Sequence, residues 1–202
     1  MLLIRIVGIA SGLIKINRMK RIFLLLAVGV FAMFMVSCLT VEKKQYTFEF
    51  TGKNSGKLTV KYINIMSNVD SAGYTEIQDF DELLSSYING TKIEESYPEA
   101  TNISKRLFEE NGVLCAEVTM EFPNLQAARL YQFDTKSPFM FYASSVDGET
   151  YVESNGTYGG DNMPVVMFPS KLKKLTVTTS VSKPSDESYV SLLGEYNKWK
   201  KK

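Results

Sequence analysis

The sequence predicts an α+β domain dominated by an antiparallel sheet of about six to eight hairpin-linked strands, with a helix near 79–89 and a C-terminal helix near 185–200. Three observations carry this. From Tyr46 onward, short runs alternate apolar and polar residues with a period of two, the pattern of strands covered on one face. Asn111-Gly112 and Asp147-Gly148 each stand between two such runs, and both dipeptides favour the left-handed backbone of tight hairpin turns. Two other segments space their apolar residues three and four apart, as one stripe of a helix does.

Taken in order, Tyr46, Phe48 and Phe50 alternate with Thr47, Glu49 and Thr51. The cluster Gly52 to Gly56 turns the chain, and Leu58, Val60 and Tyr62 resume the alternation as the second arm of a hairpin. Only three residues separate these glycines and Leu58 follows Lys57, so the segment lacks the pattern of a phosphate-binding loop. In 79–89, Phe80, Leu83, Leu84, Tyr87 and Ile88 share one helical face. Asp79 with Glu82 three residues on fits a capping box, and Gly90 fits the stop. The same spacing makes Asp79, Asp81 and Glu82 better helix-dipole partners than metal ligands.

The clearest hairpin runs from Ile103 to Phe122 around Asn111-Gly112. A two-residue turn there sets Leu107 against Ala116, Ile103 against Met120 and Arg106 against Glu117, so like environments and opposite charges meet. Cys115 falls on the polar face of the second strand; flanking acids do nothing to lower its thiol pKa, and an inert, partly covered cysteine is expected. Then come a helical turn at Pro123–Ala128, a strand at Leu130–Phe133, a hairpin of 139–145 with 149–155 about Asp147-Gly148, and a Gly-rich loop at 156–162. An apolar run at Met163–Phe168 and an alternating one at Leu172–Ser182 follow. The last helix has Ser185 as cap, Asp186 and Glu187 in its first turn and lysines at its end, all compensating the dipole. Tyr189, Leu192, Leu193, Tyr196 and Trp199 form its apolar face. That face docks on the sheet; the sharper reading has Trp199 and the terminal lysines touch anionic lipid head groups.

Composition excludes several chemistries. The chain of 202 residues has no histidine, which removes His-based triads, Cys-His dyads and His-containing zinc sites. Cysteine occurs twice, at Cys38 and Cys115. Five of the 23 basic residues and none of the 22 acids lie in residues 1–37, so the remainder carries a net charge of −4. A mildly acidic domain gives no electrostatic reason to bind nucleic acid.

Residues 1–37 read as an export signal. A basic lead is followed by the uncharged run Ile22–Val36, shorter than the roughly 20 apolar residues that span a bilayer, and then by small Ser37. Met19-Lys20-Arg21 looks like a natural start. The stretch Met35-Val36-Ser37-Cys38 resembles the lipobox of bacterial lipoproteins, with Met where Leu is favoured. By that resemblance, cleavage falls between Ser37 and Cys38, and Cys38 carries diacylglycerol and a fatty acyl group such as palmitate, with no other cofactor expected. Leu39 in the following position fits outer-membrane delivery. Ordinary secretion with a chance cysteine, and an uncleaved N-terminal helix, are the competing readings. Residues 38–45 then form a lipidated tether and 46–202 a single domain.

With Gly56-Lys57-Leu58-Thr59-Val60 and the hairpin leading into Glu121-Phe122-Pro123-Asn124-Leu125, this layout resembles small bacterial envelope lipoproteins of unassigned function. The resemblance implies location and an α+β fold and brings no catalytic residues. The expected role is a non-catalytic module of the cell envelope, held to the membrane by its lipid and binding an envelope protein, glycan or lipid. Phe139, Phe141, Tyr142, Tyr151 and Tyr158 are the candidate contact surface, because aromatics are enriched at interfaces. They are as common in sheet cores. The alternative is an envelope polymer-modifying enzyme working through two carboxylates in a cleft.

Overall fold

A computed structural model of the chain describes residues 39–68, 75–143, 148–184 and 188–201. They belong to one compact unit, Cys38–Lys202. Strands β1 (Leu39–Phe50) and β2 (Gly56–Asn68) form the predicted first hairpin, with Tyr46 beside Val60 and Phe48 beside Leu58. Strands β3 (Thr101–Glu110) and β4 (Val113–Phe122) form the second. Asn111 and Gly112 both take positive φ, 52° and 78°, as a two-residue turn of this hand requires. Leu107 meets Ala116 and Arg106 meets Glu117 as expected, with the Arg106 Nε to Glu117 Oε1 distance 2.8 Å. The expected pairing of Ile103 with Met120 does not form. The register shifts between Thr101 and Ser104, where Asn102 adopts φ 52° and bulges the strand.

The remaining strands are β5 (Leu130–Tyr131), β6 (Phe139–Tyr142), β7 (Thr150–Ser154), β8 (Thr157–Tyr158), β9 (Val165–Phe168), β10 (Lys174–Ser180) and β11 (Tyr189–Ser191). All pairings are antiparallel. The larger sheet has the order β3-β4-β2-β1-β10-β7, and β11 joins the end of β2; the smaller has β5-β6-β9-β8. The fold is therefore the predicted antiparallel α+β architecture, with eleven strands among the described residues because several are only two or three residues long. Phe48, Leu58, Val60, Met120 and Val177 of the large sheet pack on Phe139, Phe141, Val166 and Phe168 of the small one. A second cluster joins Ile65, Leu114 and Ala116 to Phe80, Leu83, Leu192 and Tyr196.

Helix α1 (Glu76–Glu82) runs into a π-helical segment, Leu83–Ile88; α2 (Lys92–Ser96) and α3 (Leu193–Trp199) complete the set. The predicted stripe holds: Phe80 and Leu83 are buried, and Leu84, Tyr87 and Ile88 pack against the same cluster. The cap does not. Thr75 and Gln78 form the capping box, because Asp79 turns inward and its Oδ2 accepts from the Ser67 hydroxyl.

Three expectations about segments are corrected. Residues 39–45, expected as a tether, are the first half of β1 and are paired with β2 from Leu39 onward. The two runs flanking Asp147-Gly148 do not pair with each other: β6 lies in the small sheet and β7 pairs with β10 in the large one. Gly148 has φ 77°, Asp147 lies outside the described residues, and the strands before and after them belong to different sheets. Tyr189, expected in the last helix, lies in β11 against Asn68, and that helix starts at Leu193. The proposed cap residues 185–187 lie outside the described residues.

Candidate functional site

The feature that stands out is an apolar cavity of about 430 Å³ between one end of the large sheet and the helices that cover it. The sheet supplies Val41, Lys44, Tyr62, Ile65, Ala116 and Val118; the helices supply Leu83, Tyr87, Ile88, Ile93 and Ser96. Leu39, Thr40 and Val181 complete the lining.

A local distortion explains why the sheet is hollow here. In a regular strand, residues three apart point to opposite faces. Yet Val41 and Lys44 both line the cavity, and so do Tyr62 and Ile65. Both strands are irregular at the same level. Asn64 adopts φ 55°, the ladder between Val41–Ile65 and Lys43–Ile63 omits Glu42 and Asn64, and the Asn64 amide donates to Glu42 Oε2 at 3.1 Å. Asparagine tolerates this left-handed conformation better than the β-branched residues around it. On the helical side, the wider π turns carry Leu83, Tyr87 and Ile88 into the wall, with the Asn89 amide reaching back to the Leu84 carbonyl at 2.8 Å. Such segments are frequent at functional sites.

The charged group of the wall already has its partner. The Lys44 ammonium lies 2.7 Å from Glu149 Oε1, and Glu149 is buried. The Tyr46 hydroxyl donates to both oxygens of Glu149 at 3.1 Å, and the Thr179 hydroxyl to Oε2 at 2.6 Å. Burial, with the Glu149 charge in support, pushes the Tyr46 phenol far above its ordinary value. Burial, then neighbouring Tyr97, does the same to Tyr62. Both phenols are therefore neutral at physiological pH. Among the described residues, Lys44 is the one charged residue that lines the cavity, and no Asp or Glu does.

The predicted contact surface is split by the fold. Phe139 and Phe141 are core residues, at 5% and 6% exposure, because β6 lies at the centre of the interface between the sheets. Tyr151 and Tyr158 stack on each other at 4.0 Å and are half-buried. Burial, then the Asp161 carboxylate that its hydroxyl donates to, raises the Tyr158 pKa. Tyr142 alone is well exposed, at 54%. It shares the outer face of the small sheet with Tyr131, Met140, Val165 and Met167.

Cys115 was expected to be partly covered; it is fully buried. Ile63 and Phe108 flank it on the neighbouring strands, and the Arg106 guanidinium lies over the Phe108 ring at 4.5 Å, so long basic side chains close the polar face there. Burial pushes its thiol pKa up. Asp79, Asp81 and Glu82 do not converge, and among the described residues no group of three acidic, Cys or His side chains is placed to hold a metal ion. Trp199 is 47% exposed and its ring lies near Phe80 and Tyr196, while the Lys200 ammonium sits over the Tyr196 ring.

Ser37, Cys38 and the apolar run before them lie outside the described residues. Among the described residues, no helix is long and apolar enough to cross a membrane. Comparison with protein-family models, curated proteins and solved structures gave no significant match to this chain.

Proposed function

We propose that the chain is an exported bacterial envelope lipoprotein, held to a membrane by acyl groups on Cys38, whose domain is a non-catalytic binding module. The observation that carries this reading is the order of features at the front. A basic lead, the uncharged run Ile22–Val36 and Met35-Val36-Ser37-Cys38 follow one another in the sequence, ahead of the strand that begins at Leu39. Acylation at more than one position makes an anchor stable, because each buried CH₂ contributes about 0.8 kcal/mol. The apolar cavity is the module's best candidate site, and Tyr142 with its apolar neighbours on the small sheet offers a second contact face. The outer membrane is the proposed destination, on the strength of Leu39 after the cysteine. An enzyme using paired carboxylates draws no support from this cavity, where no carboxylate lies among the described lining residues.

Fractionation of cells tests the anchor. The parent protein is expected in membranes that have been washed with high salt, released only by detergent, and Cys38→Ala is expected to lose that membrane-bound mature form. Identical distribution of the two proteins would remove the basis for the reading.

A further inference from the structure

We infer that the cavity is an acyl-chain site and that its occupant is one of the fatty acyl chains carried by Cys38. This rests on the lipoprotein reading above and deepens it by giving the lipid a place inside the folded domain. Connectivity is the first support. Leu39 lines the cavity, and Cys38 is bonded to it, with consecutive Cα atoms about 3.8 Å apart. No spacer separates anchor from fold, because Leu39 already pairs with Ser67 in the sheet.

Chemistry is the second support. Val41, Ile65, Leu83, Ile88 and Ile93 make an aliphatic wall, and the one charged residue among the described lining, Lys44, already has its carboxylate partner in Glu149. A ligand for such a wall has a long apolar body and asks for few hydrogen bonds; a hydrocarbon chain meets both conditions. Size is the third. About 430 Å³ lies within the range of small-molecule pockets, roughly 300–1,000 Å³, and far above the voids of a close-packed core. One chain held by the domain leaves fewer chains in the bilayer. Of the three chains expected on Cys38, two then remain in the bilayer, enough for a stable anchor.

Two measurements test this. In the first, cells are fed a diazirine-bearing fatty acid, and their membranes are irradiated. Labelled Cys38 is expected to crosslink within its own chain, to peptides carrying Leu83–Ile93. Crosslinks from labelled Cys38 to phospholipid alone would overturn the inference. A Cys38 that carries no acyl label is a separate result: it refutes the lipoprotein reading and with it this occupant.

In the second, Cys38→Ser protein, purified without lipid, is titrated with a dansyl-labelled undecanoic acid. Saturable binding of one equivalent, displaced by palmitate, is expected. Adding Ser96→Trp, an exposed position on the lining, is expected to weaken binding about tenfold or more with cooperative melting intact. If that variant does not fold, Ile88→Trp replaces it. A folded Cys38→Ser protein that binds no probe, or binding indifferent to a folded cavity variant, would overturn the site.

Discussion

At the scale of single residues, buried polar groups show where this domain tolerates cost. Asp79 is completely buried, and its Oδ1 has no hydrogen-bond donor among the described residues, while Oδ2 accepts from Ser67. Burial, offset in part by Ser67, raises its carboxyl above the ordinary value of 3.8. The folded state therefore holds this proton where the unfolded state has released it. That contribution to stability is complete below pH 3.8 and is lost as the pH rises through the raised folded value. Asp79→Asn keeps an acceptor for Ser67 and removes the titration. Its stability minus that of the parent should rise with pH across this window and then stay level, read by denaturant unfolding at stepped pH. A difference independent of pH would show that Asp79 is not the buried acid described. Glu149 shows the opposite solution, a buried carboxylate surrounded by three donating side chains.

At the scale of elements, what could be read from the sequence was what neighbouring residues decide. Alternation located β1, β2 and β4, and Asn111-Gly112 gave both turn and register because one turn determines every pair beyond it. The stripe from Phe80 to Ile88 identified the helical face that walls the cavity. The choice of partner strand was not legible. Asp147-Gly148 signals a turn equally well whether the chain folds back or crosses to another sheet, and only the packing of Phe139 and Phe141 in the core decides. The hollow beside β1 was also hidden, since it depends on Glu42 and Asn64 leaving the ladder together. The one local hint was an asparagine between two isoleucines in a strand. If its left-handed backbone shapes the cavity, Asn64→Val should cost about 1–2 kcal/mol and Asn64→Gly should stay within about 1 kcal/mol of the parent. Chemical denaturation measures both, and equal losses for the two variants would contradict the role given to Asn64.

At the scale of the whole molecule, two clusters divide the interior. One joins the two sheets through aromatic and aliphatic side chains; the other joins the far end of the large sheet to the helices. The cavity belongs to the second end, where β1 begins, one residue after Cys38. The proposed anchor residue, the first strand and the candidate site thus follow one another in the sequence without a linker, so a membrane held by Cys38 would lie against this end of the domain. Intact-mass spectrometry on protein purified from its own membranes tests that account most directly. The account predicts a chain that starts at Cys38 and is heavier by its acyl groups. An unmodified chain recovered from soluble fractions would contradict it.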